Sequence, residues 1–225
     1  KTMSQLSELE LVRREKLAKL RELGINPYPA DLYPVSNNSK QIKQEFKEGK
    51  QVVIAGRLMS RRIQGNASFA ELQDSEGRIQ VYFNRDEICT GDDKTKYNTV
   101  YKKLLDIGDF IGVHGKLFRT HSNELTILVS SQKFLAKSFH PLPEKWHGLQ
   151  DKELRYRQRY LDLIVNSDSR RRFNLRSKII QKTRMFFYGH DYLEVETPMM
   201  QPIPGGAEAT PFKTYHNALG MNLFL

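Results

Sequence analysis

Between Gln51 and Phe139 the chain alternates apolar and polar residues in five short runs, a pattern that turns one face of each run toward a shared interior. The runs are Val52–Ser60, Ala67–Asp74, Arg78–Phe83, Asp109–Phe118 and Glu124–Ser130, parted by breaks that carry Gly, Asn, Asp or Ser. A helical stretch around Tyr97–Leu105 falls between the third and fourth. Five strands with a helix at that place is the order of an OB-fold, an all-β, five-stranded Greek-key barrel whose middle strands bind oligonucleotides. Such a barrel is expected over residues 40–140.

The flanks have a different texture. Leu6, Leu9, Val12, Leu17, Leu20 and Leu23 fall within an arc of about 140° at 100° per residue, which predicts an amphipathic helix stopped by Gly24. Its opposite face carries Arg14, Lys19 and Arg21. Pro27, Pro29 and Pro34 then impose an irregular linker, so that residues 1–39 form a helix and linker ahead of the barrel. After the prolines of His140–Pro143 comes a charged stretch, Asp151–Asp162, dense in Arg and Tyr. Ser167, Asp168 and Ser169 offer N-caps for a helix with Phe173, Leu175, Ile179, Ile180, Phe186 and Phe187 on one broad face, ending at Gly189. A strand over Tyr192–Glu196 is expected before Pro198, and Met221–Leu225 reads as the start of another. That apolar ending, with no turn or polar tail behind it, reads as a cut chain. Residues 141–225 are thus expected to open a second, α+β domain.

Charge narrows the partners. A formal net charge of +10 over 225 residues favours a polyanion, because each phosphate met by Lys or Arg releases counterions. By itself it is equally the mark of a solvated basic surface. The single cysteine, Cys89, excludes an internal disulfide, and no Cys/His spacing suits a structural zinc. No apolar run is long enough for a membrane helix and no secretory signal is legible at the start, so a cytoplasmic protein is expected.

Strand periodicity singles out the candidate binding face. In the second run Ala70 and Leu72 point one way while Phe69 shares the polar side with Glu71 and Gln73; in the third, Ile79, Val81 and Phe83 point inward and leave Arg78, Gln80 and Tyr82 outside. An aromatic ring among amide and guanidinium groups is what unpaired bases require, a π-face for stacking and donors for base edges. A lone outward aromatic more often packs beneath a loop; the barrel order, the polar face and the nearby Arg61 and Arg62 together shift the balance toward base reading. Elsewhere the signals are plain. Gly205 and Gly206 lack the spacing of a phosphate loop, Glu194 and Glu196 read as solvated or ion-paired strand residues, and His147 and His216 as structural.

A resemblance spans nearly the whole chain. Arg13-Arg14-Glu15-Lys16-Leu17 with Pro27-Tyr28-Pro29, Ala67-Ser68-Phe69, Gly77-Arg78-Ile79-Gln80, His147-Gly148-Leu149-Gln150-Asp151, Arg155–Leu163 and Leu193–Met199 resemble the corresponding segments of lysyl-tRNA synthetases. The helix ending at Gly189 and the segment after it resemble class II motif 1. Aspartyl and asparaginyl synthetases share the barrel and motif 1; the lysine assignment rests on Pro204-Gly205-Gly206-Ala207 with Pro211-Phe212 and His216–Leu219, taken with the His147–Leu163 signature.

The resemblance implies that Phe69 stacks on a central anticodon uridine of tRNA(Lys) while Arg62, Gln80 and Glu124 hydrogen-bond anticodon bases. It implies that the Gly205 backbone meets the amino group of bound lysine, and that Pro198 lies at a homodimer interface. The family's reaction joins lysine to ATP as an adenylate, with Mg2+ assisting, and then transfers it to the tRNA 3′ end. Motifs 2 and 3 and the carboxylates for the lysine ammonium are not within these residues, so this stretch alone is expected to be inactive, with Mg2+ ligands beyond residue 225. Thr210 stands where the family commonly has a basic residue, and the loop Cys89–Lys96 looks longer than in many relatives. The competing reading is a non-catalytic OB-fold protein that binds tRNA or single strands.

Overall fold

Each of the five alternating runs forms a strand, and the strands close on themselves. The computed structural model describes residues 6–143, 149–205 and 209–225, and residues 1–150 form one unit. Its strands are β1 (Gln51–Gln64), β2 (Ala67–Gln73), β3 (Arg78–Asn84), β4 (Phe110–Arg119) and β5 (Leu125–Ala136). They close as β1-β2-β3-β5-β4, with β4 returning to β1; only the β3–β5 ladder is parallel. This is the OB-fold order. Burial alternates as expected: Ile79, Val81 and Phe83 are buried while Arg78, Gln80 and Tyr82 stay half-exposed. Each enclosed aliphatic side chain contributes about 1.5–3 kcal/mol relative to exposure.

The helix between the third and fourth strands is a π-helix, Lys96–Leu104, that buries Tyr97, Val100, Tyr101 and Leu104. The Tyr97 and Tyr101 rings stack with centroids 5.4 Å apart, and Phe83 lies 4.3 Å from Tyr101, so the helix packs its aromatic side on the barrel interior. Tight closure also needs glycine. A Cβ on Gly115 would lie 2.1 Å from the Leu128 carbonyl oxygen, at the point where the β4–β5 register slips.

α1 (Glu8–Glu22) begins in a capping box, the Ser7 side chain accepting from Glu10 N–H and the Glu10 carboxylate from Ser7 N–H. It ends at Gly24, φ +71°, where Gly24 N–H donates to Arg21 O and Ile25 N–H to Leu20 O. The docking of α1 differs from the expected apolar stripe. Leu20 is fully buried, but Leu9, Val12 and Leu23 are exposed, and polar anchors supply the rest. The Arg13 guanidinium donates to the Ile107, Ser138 and His140 carbonyls, and Lys16 pairs with Asp106. Nearby, the Lys137 ammonium is wholly buried between Asp106 and Asp109. Burial holds the Asp109 carboxyl above its ordinary range; at Asp106 burial pushes the same way, but hydrogen bonds from Lys137 and Lys16 outweigh it and bring the group down.

Two short helices were not legible. α2 (Ser39–Gln44) starts at Asn38 in a second capping box with Gln41, and α3 (Arg85–Ile88) follows β3. Both are shorter than two turns, too short for periodicity to register.

Residues 151–225 form the second unit: α4 (Lys152–Arg157), α5 (Arg159–Val165), α6 (Ser167–Tyr188) and the hairpin β6 (Lys213–His216) with β7 (Met221–Phe224). Asp162, fully buried, gathers Arg155, Arg159 and Asn166. This explains why α6 starts without a side-chain cap: the Asn166 amide is engaged with Asp162 instead. The helix ends at Gly189 as expected. Tyr192–Glu196 corrects another expectation, being no strand here, since no neighbouring strand among the described residues pairs with it. Among the described residues no helix is long and apolar enough to cross a membrane.

Candidate nucleic-acid interface

β1 continues four residues past the alternation that marks its core-facing part, because Arg61-Arg62-Ile63-Gln64 keep a backbone ladder with β2 after their side chains have left the interior. Arg62 therefore stands on the binding face opposite Phe69, while Arg61 is paired with the inward-facing Ala70. In the next ladder Phe69 is opposite Tyr82 and Glu71 opposite Gln80; across the parallel ladder Gln80 meets Thr126.

These registers assemble one open concavity of about 470 Å3, whose lining includes Arg62, Phe69, Gln80 and Glu124, contributed by β1, β2, β3 and the β4–β5 turn. The four residues for which the resemblance implies base contacts thus line one recess. The Phe69 ring is half-exposed, 4.8 Å from the Tyr82 ring, with the Arg62 guanidinium 5.9 Å from its centroid. It is neither sealed under a loop nor beneath α1. Arg62 from β1 and Tyr82 from β3 flank it from the two neighbouring strands, which steadies the ring while leaving it half-exposed.

The floor is ordered by polar contacts. Arg78 pairs with Glu71 at 3.0 Å and donates from Nε to Gln73 at 2.9 Å. Gln73, expected outside with Phe69 and Glu71, is in fact buried at the end of β2, where the strand lies against the Gly56 backbone of β1. Gln80 Nε2 donates to Thr126 Oγ1 at 3.0 Å. Arg61 turns away and donates to the Tyr101 carbonyl. At the rim the exposed Glu124 carboxylate and Lys43 ammonium have no ion-pair partner among the described residues. The surface so built offers a ring face, two cations, an amide and a free carboxylate around one recess, which suits a splayed base with a phosphate beside it.

Lys43, Thr120, Ser122 and Thr126 escaped sequence reading. Lys43 comes from α2, for which the Asn38/Gln41 capping pair was the available signal. Thr126 is joined to Gln80 by a parallel ladder 46 residues apart in sequence, and alternation carries no information about that register.

The second-unit residues are placed as follows. Gly205 and Pro198 are exposed, and space around Gly205 is open, with nothing within 4 Å of a Cβ built there. Gly206, Ala207 and His147, which the resemblance also used, lie outside the described residues. Glu194 accepts from Arg184 at 2.9 Å, an ion pair as anticipated, and His216 Nδ1 accepts from Leu219 N–H within the β6–β7 turn.

Comparison with known proteins follows the same division. Residues 52–134 match the family model for the OB-fold nucleic acid binding domain, and residues 151–225 that for tRNA synthetases class II (D, K and N). Among curated proteins, the lysine–tRNA ligase of Christiangramia forsetii is 59% identical over 99% of this chain. Those of Porphyromonas gingivalis and Syntrophomonas wolfei are each 52% identical over 98%. The chain spans 41%, 40% and 44% of these relatives' respective lengths.

Proposed function

We propose that the chain is part of a lysine–tRNA ligase of the class II tRNA synthetases and serves the ATP-dependent attachment of lysine to tRNA(Lys), its barrel reading the anticodon. The observation that carries this reading is the convergence of Arg62, Phe69, Gln80 and Glu124 from separate elements on one recess. Phe69 stacks on a central uridine; Arg62 and Gln80 offer donors, and Gln80 and Glu124 acceptors, for base edges. Lys43 meets the backbone charge at the rim.

The division 1–39, 40–140 and 141–225 is proposed as helix and linker, anticodon barrel and the opening of the catalytic domain. There the Gly205 backbone is assigned to the lysine amino group, since a residue without a side chain lets a ligand approach the main chain. α6 exposes Ile179, Ile180, Phe186 and Phe187 on its surface, and the segment after it carries Pro198. We assign this apolar surface to the motif 1 interface of a homodimer. ATP and Mg2+ enter through the family's chemistry, adenylate formation followed by transfer to the tRNA end. Among the described residues no group of three or more His, Cys, Asp or Glu is arranged to hold a metal, so no step is assigned to Mg2+ here. The setting is the cytoplasm.

Competition binding tests the reading. Unlabelled tRNA(Lys) transcript is expected to displace a labelled tRNA(Lys) anticodon stem-loop from the chain at least about tenfold better than the same transcript with a substituted anticodon, since each lost base contact costs roughly 1–3 kcal/mol. Equal displacement by both transcripts would refute anticodon reading.

A further inference from the structure

Five cationic side chains and no carboxylate line a recess of about 380 Å3 in the second unit. Lys152 and Arg155 come from α4 and Arg159 from α5, while Ser169, Arg172, Phe173 and Arg176 share one face of α6, being three and four residues apart. The fully buried Asp162 ties down only two of the five. An ionised carboxylate accepts about four hydrogen bonds, and Asp162 takes them from Arg155, Arg159, Asn166 and Ser169, so it has none left for a third cation. Arg155 is further fixed by donating to Ser169 Oγ at 3.0 Å, and the Arg159 guanidinium lies 5.1 Å from the Tyr156 ring centroid and 5.2 Å from that of Phe173. Lys152, Arg172 and Arg176 are exposed and make no ion pair with any described residue. On a convex face such cations would repel one another into solvent. Around a concavity they focus a positive field on its centre, and a ligand meets two of them already oriented.

We propose that this recess binds a chain of linked phosphates, the group that tripolyphosphate shares with nucleoside triphosphates and with RNA ends that carry a 5′-triphosphate. Guanidinium forks match pairs of phosphate oxygens, and linked phosphates place more negative charge in a small volume than one sulfate or carboxylate does. Tyr156 and Phe173 are engaged with Arg159, which leaves charge rather than stacking as what the recess offers. The site shares no residue with the concavity around Phe69, so it stands or falls apart from anticodon reading.

Calorimetric titration of the chain with tripolyphosphate at fixed salt tests the site. Saturable one-to-one binding is expected, with sulfate at matched ionic strength weaker by about tenfold or more. Arg172→Gln, Arg176→Gln and Lys152→Gln each remove an exposed, unpaired cation, and each should weaken tripolyphosphate by about threefold or more. Lys178→Gln is the control for charge alone: it removes one positive charge from the same helix, but position 178 lies on the side of α6 opposite Ser169, Arg172, Phe173 and Arg176, and its affinity should match the wild type. ATP and an RNA hairpin ending in a 5′-triphosphate should both compete with tripolyphosphate, and the same hairpin ending in a 5′-hydroxyl should not. Should an α6 variant fail to fold, Lys152→Gln on α4 and the ligand series carry the test. No saturable binding, sulfate as tight as tripolyphosphate, or an equal loss in Lys178→Gln and Arg172→Gln overturns the proposal. So does a failure of ATP to compete, and so does equal competition by the two hairpins, which would assign the recess to the RNA backbone instead.

Discussion

Phe69 is flanked by Tyr82 on β3 and Arg62 on β1 and stays half-exposed, so its ring is pre-oriented and little conformational entropy remains to be lost when a base stacks on it. Phe69→Ala is therefore expected to weaken binding of a uridine-rich anticodon stem-loop by about 1 kcal/mol or more, and Phe69→Trp to retain it, in fluorescence titrations at constant salt. An alanine variant with wild-type affinity would remove the ring from the mechanism. A second residue-scale prediction concerns Asp162. Burial alone would raise its pKa, but hydrogen bonds from Ser169, Asn166, Arg155 and Arg159 prevail and lower it to about 2. A carboxyl depressed on folding contributes stability that is complete above its unfolded value near 4 and fades as pH falls through about 2. Asp162→Ala should destabilise α5 and α6 by about 2–3 kcal/mol at neutral pH, leaving two arginines without their partner, and should flatten the acid dependence between pH 4 and 2. Amide hydrogen exchange in those helices reads both effects. At this scale the sequence exposed what alternation encodes: Phe69 and Gln80 outside, Val81 and Phe83 inside. It did not expose Thr126, whose relation to Gln80 exists only across a ladder between distant strands.

Elements differ in how visibly their cause is written. The barrel strands were legible because each must bury every second residue, and the π-helix because Tyr97, Val100, Tyr101 and Leu104 fall on one face. The extension of β1 to Gln64 was not, since its side chains leave the core while only backbone hydrogen bonds continue. The docking of α1 departs from the expected apolar stripe for a related reason: a buried arginine bonded to three carbonyls looks in sequence like any charged surface residue. The expected strand at Tyr192–Glu196 fails because a local stretch of sequence cannot supply the neighbour a ladder needs. Closure of the barrel makes its own prediction. Gly115→Ala forces a Cβ onto the Leu128 carbonyl at the β4–β5 slip and is expected to cost about 3 kcal/mol or prevent folding, in contrast to Gly91→Ala, whose Cβ meets nothing within 4 Å. Thermal or denaturant unfolding of the two variants decides between a tight closure and a tolerant one. Lys137→Met should likewise cost about 3–5 kcal/mol, because Asp109 would remain buried without its cation.

For the molecule as a whole, the proposed function assigns to the net charge of +10 an attraction to RNA that is indifferent to sequence, and to the recess on the barrel the discrimination. The two contributions separate by salt. Lys43→Ala should lower affinity for all stem-loops alike and reduce the slope of log affinity against log salt by about 1, whereas Phe69→Ala should leave that slope unchanged. The central claim is that an anticodon base lies on the outer face of β2 and β3, and photo-cross-linking tests it most directly. A tRNA(Lys) anticodon stem-loop carrying 5-bromouridine at the central anticodon position, irradiated with the chain and mapped by peptide mass spectrometry, should attach within residues 67–84, at Phe69 or Tyr82, and lose most of that product in Phe69→Ala. Attachment concentrated on α1 or α6, with the barrel unmarked, would contradict the account.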